Sequence, residues 1–204
     1  MLKSKLMKNK IYSWSQLSQF SNPDYPEYSD PEAWYRRYIL KEKEPIKPVF
    51  EFGSRIDALI QSDCTFLPEL ERYSQQQYKL EAEYKGIKLI GYADDWDHTG
   101  LRLKDTKTGK QKWDKKRADK TTQLTMYVAM LYLTHKIKPE DIQCQIDWLE
   151  TEEKGDFSIG FVEGMKLKSF VTRRTMLDVL KCLSWVERTH KEMIEYVEKR
   201  YYIV

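Results

Sequence analysis

The chain has 204 residues, enough to bury one substantial core but short for two. Hydrophobic residues make up 41% and charged residues 33%, and 14 Tyr and 6 Trp supply the bulk of a packed interior, which excludes a disordered chain. The net charge of +3 is too small to imply a polyanionic partner by itself, the basic opening MLKSKLMKNK lacks the apolar run and cleavage site of a secretory leader, and no stretch approaches the roughly 18 apolar residues of a membrane span, so a cytoplasmic protein without membrane contact is expected.

From Ile11 to Phe20 the sequence offers Ser13 or Ser15 as helix caps, with Leu17 and Phe20 three apart, before a Pro-, Asp- and Tyr-rich loop. Pro31 then opens a helix with Trp34, Tyr35, Tyr38 and Ile39 on one face beside Arg36 and Arg37, and another helix is expected over Phe50 to Gln61. The period changes next. Tyr78 to Tyr84 alternates, Lys85-Gly86 supplies a turn and Ile87 to Trp96 runs on as a second strand; after a turn at His98-Thr99-Gly100 a third carries Leu101, Leu103 and Asp105. A long helix from Asp114 to Thr134, a strand through Ile142, Cys144, Ile146 and Trp148, a returning strand from Phe157 to Val162 and a helix from Thr172 to Tyr201 complete the order. This succession predicts a single α/β domain, with a mixed central sheet flanked by helices: a helical N-terminal part over 1–62, a core over 75–150 and a C-terminal helix over 172–201.

Two carboxylates, Asp94 and Asp105, stand on adjacent predicted strands, 11 positions apart across a turn, so that their side chains can converge. Converging carboxylates repel unless a cation neutralises them, and hard oxygen donors suit Mg²⁺ or Mn²⁺ rather than zinc. Lys107 lies two residues after Asp105 and so on the same face of its strand. Paired acids with an adjacent ammonium suit phosphodiester hydrolysis, in which a metal ion polarises phosphate and activates water while a lysine stabilises charge. Asp-x-Lys alone is a common triplet; the ordered set G-Y-A-D at 91–94, D-T-K-T-G at 105–109 and Q-L-T-M-Y at 123–127 is not. Lys110 to Lys120 (KQKWDKKRADK) adds six basic and two acidic side chains, a local +4 around Trp113. Lys110, Lys112, Lys115, Lys116 and Arg117 suit phosphates and Trp113 an unpaired base, with a solvated helix start as the competing reading. Arg36, Arg37, Arg173 and Arg174 are secondary candidates.

With these motifs the sequence resembles the RecB-like and phage-exonuclease branch of the PD-(D/E)XK nucleases, whose motifs run G-x-x-D, D-x-K-T and Q-x-x-x-Y in that order. Segments S-W-S-Q-L at 13–17 and W-Y-R-R-Y at 34–38 extend the likeness. The resemblance implies a restriction-endonuclease-like core, Asp94 and Asp105 as metal ligands with the carbonyl of Thr106, Lys107 as the catalytic lysine, and Gln123 and Tyr127 lining the site. It departs from the pattern where the family commonly carries a histidine in its first motif: F-G-S-R-I-D-A-L-I places Asp57 there, which either coordinates the cation or only pairs with Arg55 or faces water. Glu83, or Glu81, is a candidate for a further acid. Related nucleases hold an iron-sulfur cluster with four cysteines; with only Cys64, Cys144 and Cys182 here, none in a C-x-x-C pair, no such cluster is expected.

The expected function is a Mg²⁺- or Mn²⁺-dependent deoxyribonuclease, an exonuclease acting on linear DNA ends or single strands in phage-type or mobile-element recombination or repair. A restriction-type endonuclease and a non-catalytic nucleic-acid-binding protein are the alternatives. A recombination or annealing protein is a candidate partner, and a homo-oligomer is compatible with the sequence.

Overall fold

A computed structural model of the chain describes residues 10–43, 48–62, 70–109, 112–150 and 166–201. A short strand β1 (Ile11–Tyr12) leads into helix α1 (Trp14–Phe20), which Ser13 caps: its hydroxyl accepts from Gln16 N while Gln16 Oε1 accepts from Ser13 N, a reciprocal capping box. The loop that follows is tied down locally, since Asn22 Oδ1 accepts from the amides of Asp24 and Tyr25 and Ser29 Oγ accepts from Asn22 N. Asp30 caps α2 (Pro31–Tyr38), and α3 (Pro48–Gln61) comes next.

The expected three-strand meander is present as β2 (Gln75–Tyr84), β3 (Ile87–Asp97) and β4 (Arg102–Gly109). Lys85 and Gly86 have φ of 50° and 80°, the paired left-handed conformation of a two-residue hairpin turn, and so fix Tyr84 opposite Ile87. β2 occupies one edge of β3 along nearly its whole length. The other edge is shared: β1 pairs parallel at Lys88 and Leu89, and β4 pairs antiparallel only from Asp95↔Lys104 to Asp97↔Arg102. Beyond Lys104 the two strands part into a fork, and β4 continues alone against the parallel β5 (Gln143–Glu150), which pairs antiparallel with β6 (Lys166–Thr172). The returning strand expected at Phe157 to Val162 lies outside the described residues.

Cross-strand neighbours share a face, so Leu103, Asp105 and Lys107 lie on the same side as Cys144, Ile146 and Trp148, and Lys104 and Thr106 on the other with Gln145 and Asp147. The first side is the main core. It is covered by α5 (Thr122–His135), buried at every position from Leu124 to Leu131, and by α6 (Met176–Tyr201), whose Val179, Leu183 and Val186 face inward. Burying each of these aliphatic side chains contributes about 2 kcal/mol. The other side carries a smaller apolar group, Ile56, Ile60, Leu70 and Tyr73, and a buried ion cluster in which Lys104 Nζ lies 3.2 Å from Asp95 and 3.5 Å from Asp147.

The helix expected from Asp114 to Thr134 is two helices, α4 (Lys115–Lys120), capped by Asp114, and α5, with Thr121 between them in a non-helical conformation. Tertiary partners hold the break open. Asp24 accepts from both the amide and the hydroxyl of Thr122, and Arg174, only 1% exposed, donates to the freed carbonyls of Ala118 (2.8 Å) and Thr121 (3.2 Å) and to the hydroxyls of Thr125 and Thr172. The first and last helices also meet: Trp185 Nε1 donates to Ser21 O, His190 Nδ1 lies 3.1 Å from the Tyr12 hydroxyl, and Tyr196 donates to Glu32. No helix among the described residues is long and apolar enough to cross a membrane.

Candidate active site

Asp94 stands where β3 has lost its regular neighbours on both sides. The β2–β3 ladder omits the Gln77/Asp94 step because Gln77 takes a left-handed φ of 48°, and β4 has already diverged. The side-chain alternation changes phase at the same point, since Leu89 and Ala93 before it and Trp96 after it all enter the main core. The carboxylate takes up the displaced donors: Oδ2 accepts from Thr106 N at 2.7 Å and Oδ1 from Gln77 Nε2 at 3.2 Å. Burial, and then the nearby Asp105, push the Asp94 carboxyl up to about 7 against the opposing pull of the Thr106 amide and Lys107.

Asp105, on the core side of β4 and 3% exposed, meets the α5 N-terminal turn. Its Oδ2 is 2.6 Å from Lys107 Nζ and its Oδ1 accepts from Gln123 Nε2 at 3.2 Å. Gln123 bridges the group, accepting from Lys107 Nζ at 2.8 Å through Oε1 and donating to the Tyr127 hydroxyl at 3.0 Å. Burial is the largest single influence on Lys107 and pulls its pKa down, but Asp105, Asp94 and Asp57 together outweigh it, so the ammonium ends above its ordinary range. Burial, with Asp105, pushes the Tyr127 phenol up as well. Gly91 is required by close approach: a Cβ there would lie 2.7 Å from Tyr127 Cε1, which couples the first and third motifs sterically.

The fold thus brings together Asp94, Asp105, Lys107, Gln123 and Tyr127, with the Thr106 amide between the two acids. Asp57, on an exposed turn of α3, is close enough to be affected by this group: crowding raises its carboxyl, Lys107 lowers it and Asp105 raises it. Glu83 is elsewhere. The hairpin turn sets it opposite Lys88, exposed and six residues along β2 from Gln77, roughly 20 Å away at 3.3–3.4 Å per residue. Glu81, also exposed, pairs with Lys79 at 2.8 Å.

Two acids held at a fork, one of them lifted out of its normal range, are a donor set that a hard divalent cation satisfies. Buried Asp105 Oδ2 and Thr106 Oγ1 make no hydrogen bond, the former meeting Lys107 only as an ion pair. Among the described residues no three His, Cys, Asp or Glu side chains converge as a ready cage, so protein donation to an ion rests on Asp94 and Asp105, with carbonyl and solvent oxygens completing a shell.

A groove of about 1100 Å³ opens from Lys107 and Gln123 along α4, with Lys112, Lys116, Arg117 and Lys120 on it. The other expected cations are placed differently. Lys115 pairs with Asp119, Arg36 with Glu42, and Arg37 lies over the Tyr38 ring; Arg173 donates to Glu140 O, and Arg174 is interior. Trp113 is 7% exposed and covered by the Arg117 guanidinium 4.0 Å from its ring centroid, so its face is not open to a base. Lys110 lies outside the described residues. Sequence reasoning missed Gln77, because nothing in the run Gln75-Gln76-Gln77 signals a left-handed backbone, and Asp24, whose partner Thr122 is 98 positions away.

No protein-family model matches the chain, and no curated protein matches it in sequence. Solved structures do. A crystal structure of a "putative exonuclease" from Eubacterium rectale aligns with a TM-score of 0.59 over 96% of this chain and 84% of its own, at 10% identity. A phage-related exonuclease from Haemophilus somnus 129PT aligns with a TM-score of 0.58 over 95% of this chain and 99% of its own, at 14% identity. The shared property is the fold, a mixed sheet flanked by helices.

Proposed function

We propose that this protein is a Mg²⁺- or Mn²⁺-dependent deoxyribonuclease that removes nucleotides from DNA ends, an exonuclease of phage or mobile-element recombination or repair. The observation that carries the reading is the linked group Asp94, Asp105, Lys107 and Gln123 at the β3–β4 fork, beside a groove with four basic side chains. The exonuclease names of the two structural neighbours favour the same class.

Asp94 and Asp105 would hold the ion, with the Thr106 carbonyl as a further oxygen donor and Asp57 near enough to act on their charge. What Mg²⁺ or Mn²⁺ supplies when bound is polarisation of a phosphoryl oxygen and a lowered pKa for water. Lys107 places a full positive charge beside the acids, where it stabilises the negative charge that builds on the phosphate during in-line attack. Gln123 fixes that ammonium through Oε1 and Asp105 through Nε2, so neither reorients as the reaction proceeds. Tyr127 keeps its proton and closes the inner wall.

The test is a time course on matched linear and closed circular duplexes, with and without Mg²⁺ or Mn²⁺. Progressive loss of the linear form while the closed form persists is expected, and Asp94→Ala, Asp105→Ala and Lys107→Ala should each slow it by orders of magnitude. Discrete fragments from the closed duplex would replace this reading with a sequence-reading endonuclease, and no cleavage of any substrate would leave a binding protein.

A further inference from the structure

The groove beside Lys107 has a second wall that the nuclease motifs do not include. It is the loop from Asn22 to Ser29, whose Asp24, Tyr25 and Tyr28 line the groove opposite α4. Tyr28 is 62% exposed, the largest exposure among the large hydrophobic side chains of the described residues, and its ring lies 5.7 Å from that of Tyr25 at a 45° tilt. The loop is held in place: Asn22 Oδ1 accepts from Asp24 N and Tyr25 N, Ser29 Oγ accepts from Asn22 N, and Asp24 is bonded to the first turn of α5 through Thr122. Across the groove, Arg117 sits between the Trp113 ring at 4.0 Å and the Tyr25 ring at 5.6 Å, a packed cation that ties the two walls. Lys112, Lys116 and Lys120 are exposed along the same side and enter no salt bridge among the described residues, unlike Lys115.

An open aromatic face in a fixed loop, set opposite a row of ammonium groups, is the combination that binds unpaired nucleotides: phosphates follow the cations and bases stack on the ring. Inside a duplex the base faces are already occupied by their neighbours, so away from its ends an exposed tyrosine has nothing to stack on. Trp113, already covered by Arg117, cannot fill this role, and Tyr28 can. We propose that the groove takes one unpaired DNA strand, its phosphates along Lys112, Lys116 and Lys120 and a base stacked on Tyr28, and leads that strand to Lys107. This rests on the nuclease reading for its direction of delivery. It adds that the strand being processed is single over the groove, so a blunt duplex must fray before it is used.

The experiment is fluorescence anisotropy with a short labelled oligo(dT) in EDTA, where no cleavage intervenes. Stacking of about 1–3 kcal/mol per base corresponds to a weakening of roughly 5- to 150-fold for Tyr28→Ala, while Tyr28→Phe should bind within about twofold of wild type. A blunt hairpin duplex should bind both variants like the wild type. Replacing Lys112, Lys116 and Lys120 by Ala should flatten the salt dependence of oligo(dT) binding by about 0.7 in slope for each phosphate no longer neutralised. Unchanged oligo(dT) affinity in Tyr28→Ala, or an equal loss on hairpin and oligo(dT), overturns the proposal. The two readings fail separately: a protein that degrades linear DNA but ignores Tyr28→Ala keeps the nuclease and loses the strand groove, and one that cuts nothing but loses oligo(dT) affinity in Tyr28→Ala does the reverse.

Discussion

Replacing Asp94 by Asn should make the metal-free protein more stable at neutral pH, although it removes a residue central to the proposed chemistry. In the folded protein burial and Asp105 raise the Asp94 carboxyl from 3.8 to about 7. Below about pH 4 the group is protonated whether folded or unfolded and contributes nothing. Between about pH 4 and 7 the unfolded chain loses its proton more readily, so stability falls as pH rises and the full penalty stands above pH 7. At about 1.4 kcal/mol per pH unit that penalty is at most about 4 kcal/mol. Asn removes the charge and keeps an acceptor for Thr106 N, while the bond from Gln77 Nε2 is weakened, a loss of about 1 kcal/mol. The variant should therefore gain about 2–3 kcal/mol at pH 8 in EDTA, measured by urea unfolding, and its stability should vary less between about pH 5 and 8. Saturating Mg²⁺ should close most of this gap, because a ligand at a hundred times its Kd adds about 2.7 kcal/mol to a protein that binds it, and the variant has one carboxylate fewer to hold the ion. A variant less stable than wild type in EDTA at pH 8, or two parallel pH curves, would refute the argument that the acids at the fork are held in mutual conflict until a cation arrives.

Gly91→Ala places a Cβ 2.7 Å from Tyr127 Cε1, and because that ring is 5% exposed it has little room to retreat; a loss of about 1–3 kcal/mol in the urea midpoint is expected, together with slower DNA cleavage as Gln123 loses its partner. Arg174→Met leaves the carbonyl of Ala118 without its side-chain donor and that of Thr121 with only the Thr125 hydroxyl, and should cost about 3–5 kcal/mol, read as a lowered midpoint in thermal unfolding; a shift near zero would mean that solvent replaces the guanidinium at the helix break.

The elements were legible where one periodicity dominates. Alternation marked the meander, and Lys85-Gly86 fixed its register, so the same turn that places Asp94 also excludes Glu83, a conclusion that counting outward from the turn would have reached. The acids and Lys107 were legible because strand phase puts Asp105 and Lys107 on one face. What failed to show was whatever depends on distant partners. Thr121-Thr122 is a pair of ordinary residues until Asp24 and Arg174 hold the chain open there. Arg174 reads as a candidate phosphate ligand in a string of letters because charge does not state burial, and only its five acceptors explain why a guanidinium belongs inside. The exposure of Trp113 and Tyr28 is hidden for the same reason: a nearby cation covers one ring and leaves the other bare.

The contact of the first helices with the last one orders events during synthesis. Ser21 meets Trp185 across 164 positions, and Tyr12 meets His190 across 178. At about 5–20 residues per second, a ribosome takes on the order of 10–30 s to cover that distance. Through that interval Leu17, Phe20 and Trp34, all buried in the finished molecule, lack the surface of α6 that closes over them. These helices, made well before α6, are thus among the last parts to settle, and a nascent chain halted before Met176 exposes them to aggregation or to a chaperone. A protease pulse applied to stalled chains of increasing length should find the N-terminal helices cleavable until α6 has emerged.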